Sequence, residues 1–157
     1  MTGDPNAAAR GAPDAPPRPH GDGVWRVRGI RGATTVDADD PLLVLAATGE
    51  LLREIVARNG ADPDRLVSAI FTTTPDLAST YPARAARDLG WHDVPLLCMT
   101  EIDVPGGIPR CIRVLVHAEL RVPREAVRHV YLHGARVLRP DWVANERGGA
   151  GTAGRGA

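Results

Sequence analysis

No lysine occurs in this chain of 157 residues, so all 19 basic side chains are arginine. That absence excludes a Schiff-base lysine and a phosphate-loop lysine. The cation that remains keeps its proton at every accessible pH and presents a planar fork suited to carboxylates. Ala, Gly and Pro are abundant as well, so a general compositional bias is the simplest origin of the pattern; the chemical restriction holds either way. Cysteine is scarce too. Cys98 and Cys111 are the two present, and without a secretory signal they read as reduced thiols of a cytoplasmic protein. No metal site is expected, because His20, His92, His117, His129 and His133 lack HExxH or CxxC partners. His129 and His133 are four apart, but their segment reads as a strand, which makes them ordinary polar side chains. Charge of one sign is missing: the 19 Asp and Glu balance the arginines without a long like-charge run, which argues against nucleic acid as a partner. The longest apolar run, Leu42 to Ala47, is far too short for a bilayer, so no membrane is expected.

What is present fits one globular domain. Residues 1–23 carry almost no large apolar side chain and read as a disordered tail, with neither the basic start nor the apolar core of a signal peptide. Residues 143–157 are Gly-rich and read as a second flexible tail. The folded domain is therefore residues 24–142. It opens with a strand over Trp25 to Thr34, in which Trp25, Val27, Gly29 and Arg31 share a face. Arg31 there either snorkels past the sheet edge or serves an anionic ligand.

Asp39-Asp40-Pro41 starts a helix that runs to Arg58 and stops at Asn59-Gly60, with Leu45, Leu52, Ile55 and Val56 as its buried stripe. Asp62 to Asp64 forms a short helical turn, Leu66 to Thr73 a strand, and a second helix starts near Pro82. Arg84 and Arg87, three apart, share one face of that helix. Strands follow over Val94 to Glu101 and Cys111 to Leu120. In the latter, Ile112, Val114, Val116 and Ala118 make a core face, while Cys111, Arg113, Leu115 and His117 look into solvent or a polar pocket. A turn over Pro123 to Arg128 and strands at His129 to Leu132 and Arg136 to Leu138 complete the chain. About five strands and two substantial helices imply an α+β fold, a mixed sheet with helices on one side.

The stretch CMTEIDVPGGIPRCIR, Cys98 to Arg113, sets a thiol, an acid and an arginine around a Gly-Gly turn. Neither a GxSxG elbow nor a paired-carboxylate glycosidase arrangement accompanies it. What the set offers is fixed charge and hydrogen-bond donors, suited to a small dianion held in one conformation. Blander readings stand beside this one. Cys98 reads equally as a small buried residue, Glu101 as an ion-pair partner of Arg110 or Arg113, and Tyr131 as a core aromatic. Arg84 and Arg87 read as a solvated helical face.

Three segments, RGIRGATTV, CMTEIDVPGGIPRCIR and RHVYLHGARVLRPD, together resemble the AroH-type chorismate mutases over about Val27 to Asp141. The resemblance implies a barrel-like homotrimer that rearranges chorismate to prephenate in phenylalanine and tyrosine biosynthesis, without cofactor or metal. It implies that Arg113 donates to the ether oxygen and one carboxylate, and that Arg31 binds the side-chain carboxylate with help from Tyr131. Glu101 would accept from the ring hydroxyl, with Cys98 beside it. Tyr81, Ala83, Arg84, Arg87, Leu96 and Leu97 would form another wall, and Leu138 and Arg139 a cover. Leu97 stands where the family often has a small polar residue, Tyr81 where Phe is common, and the spacing from Arg87 to Cys98 is one residue shorter. Two other readings are an enamine or imine deaminase of similar assembly, marked by ammonia release, and a sensor that binds chorismate without turnover.

Overall fold

The computed structural model describes residues 23–141. The expected tails, Gly23 apart, lie outside the described residues. Among them five strands form one mixed sheet: β1 (Arg26–Thr35), β2 (Leu66–Thr73), β3 (Leu96–Thr100), β4 (Cys111–Leu120) and β5 (Val130–Tyr131). Their order is β3-β2-β4-β1-β5. β4 sits in the middle, antiparallel to both β1 and β2, while β2–β3 and β1–β5 are parallel pairs.

Helix α1 (Pro41–Asn59) begins where Asp40 accepts from the backbone N–H groups of Leu42 and Leu43, with proline at the first helical position. Such a cap stabilises a helix by about 1 kcal/mol. It ends at Gly60, whose left-handed backbone (φ 56°) returns its N–H to Ala57 and Val56. The buried stripe is Val44, Thr48, Leu51, Leu52 and Ile55, the spacing of one helical face. Leu45 and Val56, expected in that stripe, are only half-buried at its margins. Gly32 of β1 lies under this helix. A Cβ there would stand 2.7 Å from the Ile55 Cδ1 and 3.1 Å from the Leu51 Cδ1, so a larger residue would have to push these core side chains aside.

Two expectations need correction. The second helix, α2 (Ala83–Asp88), has just 6 residues; the Trp91 N–H returns to Ala86 and Gly90 takes a positive φ, which closes it after little more than a turn. The segment Arg136–Leu138 is no strand but part of a 3-10 turn over His133–Leu138. His133 adopts φ 49°, which swings the chain off the end of β5.

The main core lies between the helices and one sheet face, joining Ile30, Phe71, Val114, Val116 and Val130 to Leu51, Leu52, Ile55, Ala83 and Ala86. On β4 the expected alternation holds from Ile112 onward: Ile112, Val114, Val116 and Ala118 are buried, while Arg113, Leu115 and His117 are half-exposed. Cys111, expected with the latter three, is instead fully buried because the turn after β5 covers that end of the face. The opposite sheet face is open except at one end. There the 3-10 turn lays Ala135 and Leu138 on Ala33, Cys111 and Tyr131 to make a second, small core.

Candidate active site

Strand register builds the site. Arg113 on β4 lies opposite Ala33 on β1 and Thr72 on β2; Ala33 in turn pairs with Tyr131 on β5, and Thr72 with Met99 on β3. Directly paired residues share a face. Met99, Thr72, Arg113, Ala33 and Tyr131 therefore form one row across all five strands on the open face. Ala33 is the small member, and it leaves room beside the arginine. Arg31, opposite Leu115, stands in the next row on the same face. Trp25, Val27, Gly29 and Arg31 do share a face, and it is the exposed one. A cavity of about 380 Å³ opens here, lined by Arg31, Thr72, Met99, Arg113, Tyr131, Leu138 and Arg139 among others, within the usual range for small-molecule sites.

Glu101 joins this group because the β3 alternation continues past Thr100, its N–H reaching the Thr73 carbonyl. The Glu101 Oε1 sits 3.1 Å from the Arg113 Nε and accepts a short hydrogen bond from the Thr72 hydroxyl. Of the two ion-pair partners open to Glu101, the structure selects Arg113. Arg110 instead donates its backbone N–H to Asp76 at 2.8 Å and its Nε–H to the Val36 carbonyl at 3.1 Å. The Glu101–Arg113 contact is one of charge without alignment. The buried Arg113 Nε–H points at no acceptor. A buried donor without an aligned acceptor is costly, and the adjacent Glu101 charge offsets part of that cost.

The local electrostatics are donor-rich. Burial pushes the Tyr131 phenol above its ordinary value, partly offset by Arg31, Arg139 and Arg113, so at neutral pH it is a protonated donor. Burial likewise raises the Cys111 thiol, partly offset by the neighbouring Arg113; this thiol packs in the small core. Arg139 is held to Asp141 through two hydrogen bonds, 3.0 and 2.8 Å. His129, expected to be unremarkable, accepts the Arg31 backbone N–H at Nδ1, 3.0 Å away. Burial and the nearby Arg31 and Arg139 lower its pKa below the ordinary 6.5. The ring is thus neutral, with its remaining proton on Nε2. Thr72 and Met99 were also missed. The signal for both lay in strand alternation, but it needed the register between strands to become readable.

The remaining candidates gather elsewhere. Leu96 and Cys98 alternate away from Leu97, Met99 and Glu101 and face the helix side, in the row of Phe71; both pack against the main core. Cys98 lines a second concavity of about 630 Å³ with Tyr81, Arg84, Thr73 and Thr100, which adjoins the first at Met99. Asp39 holds this wall in place by accepting from the backbone N–H groups of Ala78 and Ser79 at 3.1 and 3.0 Å. Hydrogen bonds from the Ser79 side chain and these amides lower the Asp39 pKa. Ala83 is buried in the core, whereas Arg87 and Leu97 are exposed. The candidates therefore fall into two groups, one on the open sheet face and one at the β3 edge. Among the described residues no group of three or more His, Cys, Asp or Glu is placed to hold a metal ion. Nor is any helix among them long and apolar enough to cross a membrane.

Residues 27–142 match the family described as chorismate mutase type I. Chorismate mutase AroH of Thermus thermophilus is 51% identical over 116 residues, covering 73% of this chain and 95% of that protein. The chorismate mutase AroH of Bacillus subtilis (strain 168) is 47% identical over 116 residues, covering 73% and 91%. Among solved structures, a chorismate mutase from Clostridium thermocellum superposes with a TM-score of 0.69 at 46% identity, over 69% of this chain and 97% of that one.

Proposed function

Because the chain belongs to the type I chorismate mutase family, we propose that the cavity on its open sheet face binds chorismate and rearranges it to prephenate, with Arg113 as the working residue. The observation that carries the assignment is the strand register that sets Arg113 beside Tyr131, Thr72 and Arg31 in one cavity, with Glu101 at the Arg113 guanidinium. The reaction breaks one C–O bond as one C–C bond forms, in a single molecule and without proton transfer. The protein can accelerate it by holding the compact conformer and by placing positive charge where the ether oxygen becomes negative. Arg113 supplies that charge and cannot lose its proton. Arg31 and the Tyr131 hydroxyl bind a carboxylate, and Glu101 accepts from the ring hydroxyl. Thr72, bonded to Glu101, sets the orientation of that carboxylate. Purified protein should deplete chorismate and yield prephenate with no additive, at a rate nearly flat from mildly acidic to mildly basic pH. Tight binding without product would instead identify a sensor.

The active unit is a homotrimer in which neighbouring copies complete each site. Arg31, Arg113 and Tyr131 occupy one face of the sheet, while Cys98 lies on the other face and lines the second concavity with Tyr81 and Arg84. The two concavities meet at the edge strand β3, where Met99 lines both, so a neighbouring copy docked on this edge would join them into one site. The open face supports assembly as well, since Val27, Leu97 and Met99 are 55%, 55% and 46% exposed, more apolar surface than a lone sheet face normally leaves in water. Two inactive variants test this. Arg113→Ala mixed with Arg84→Ala should regain activity, because hybrid trimers contain sites with both wild-type halves. No recovery on mixing would show that each chain builds its own site.

A further inference from the structure

We propose that His133 and Gly134, through Glu50 and Thr35, form a latch that positions Leu138 and Arg139 over the cavity. This rests on the reading of that cavity as the chorismate site. The 3-10 turn His133–Leu138 covers one end of an otherwise open sheet face and leads into Leu138 and Arg139, two of the cavity's lining residues. It follows a β5 of only 2 residues, so strand pairing contributes little to holding it.

Two contacts, one tight approach and one backbone conformation fix its first two residues. The His133 Nε2 lies 2.9 Å from the Glu50 Oε2 of α1; a carboxylate only accepts, so the imidazole donates. The Gly134 N–H donates to the Thr35 Oγ1 at the end of β1, 3.0 Å away. A Cβ on Gly134 would stand 2.7 Å from that same oxygen. In addition, His133 is held at φ 49°, a conformation that non-glycine residues keep only when their surroundings enforce it. Two elements that carry no site residue at these points, the middle of α1 and the tip of β1, thereby set where the cover begins. His133, Gly134, Glu50 and Thr35 are positioning residues. None lines the cavity.

Steady-state kinetics on the full-length protein, with thermal melting alongside, test the latch. Glu50→Ala removes one partner of a hydrogen bond at an exposed helical position, where such a contact is weak; the Michaelis constant should rise about two- to fivefold. kcat should stay within about twofold and the melting temperature should hold. Glu50→Gln, which keeps an acceptor for the imidazole, should restore the Michaelis constant. His133→Gly, which accepts the left-handed backbone, should match Glu50→Ala, and the double variant should be no worse than either alone. Gly134→Ala should do more, about tenfold or beyond, because it displaces the turn itself. Arg139→Ala serves as the reference. If Arg139→Ala raises the Michaelis constant while Glu50→Ala and Gly134→Ala leave it unchanged, the latch is overturned and the site stands. A fall in melting temperature with an unchanged Michaelis constant would make these contacts merely structural, which also overturns it. If Arg139→Ala has no effect either, the underlying site reading fails with it.

Discussion

The two faces of the single sheet obey different rules. On the helix-covered face every strand contributes an apolar residue, and Ile30, Phe71, Val116 and Val130 are fully buried. Burial there explains the residue choices without reference to function. On the open face, Arg31 and Arg113 stand in the same rows as Leu97, Met99 and Leu115, with Glu101 beside Arg113. No stability argument for the lone chain accounts for Arg113 at the centre of a sheet or for leucine and methionine in water. Such a face makes sense when something covers it that is anionic in one place and apolar around it. The proposed substrate dianion and the proposed neighbouring copy would supply those two needs.

Substitutions can break this contrast. The largest effect belongs to the covered face: Phe71→Ala should cost about 3–5 kcal/mol of unfolding free energy, read by denaturant titration. Leu97→Ala should change the unfolding of the dissociated chain by no more than about 0.5 kcal/mol. Comparable losses from the two would erase the distinction. Next comes Arg113→Ala, expected to lower kcat by ~100- to 1000-fold, the scale seen when one transition-state donor is removed. Circular dichroism should be unchanged; near-normal turnover would refute the electrostatic assignment, and Arg113→Lys should recover only part because its point charge lacks the planar fork. Leu97→Glu should weaken assembly by at least about tenfold, equivalent to ~1.4 kcal/mol, with light scattering reporting smaller particles. An unchanged mass would place the interface elsewhere.

The smallest effect is one of pH. The folded-state pKa of His129 is lowered, chiefly by burial and then by Arg31 and Arg139, so the native state binds fewer protons than the unfolded chain in the range just below pH 6.5. Its contribution to stability is complete above about pH 6.5, and it is lost as the pH falls through the folded-state value. Melting temperatures of the parent should decline more steeply with acidification than those of His129→Gln, and parallel curves would remove His129 from that role.

Much of this was legible in the chain. Asp40-Pro41 and Gly60 marked α1 because capping acts over a few neighbouring residues, and the period of two in Cys111–Leu120 separated Arg113 from the core face. The length of α2 was misjudged because its end depends on Trp91 folding back onto Ala86 and into the core. Arg136–Leu138 was misread because three residues are too few for alternation to distinguish a strand from a 3-10 turn. His129 looked idle because its partner, the Arg31 backbone, lies 98 positions away.

The sequence by itself determined the local elements, the two-faced character of β4 and the absence of lysine chemistry, since propensity, capping and side-chain period are properties of neighbours along the chain. Its three motifs also pointed to the family. Only the tertiary structure decided that Met99, Thr72, Arg113, Ala33 and Tyr131 make one row, that Glu101 joins Arg113 and not Arg110, and that Cys98 faces the other way. Those facts follow from inter-strand register, in which a slip of one residue reverses the face of every side chain in a strand. Register is settled by the packing of the whole sheet against its helices.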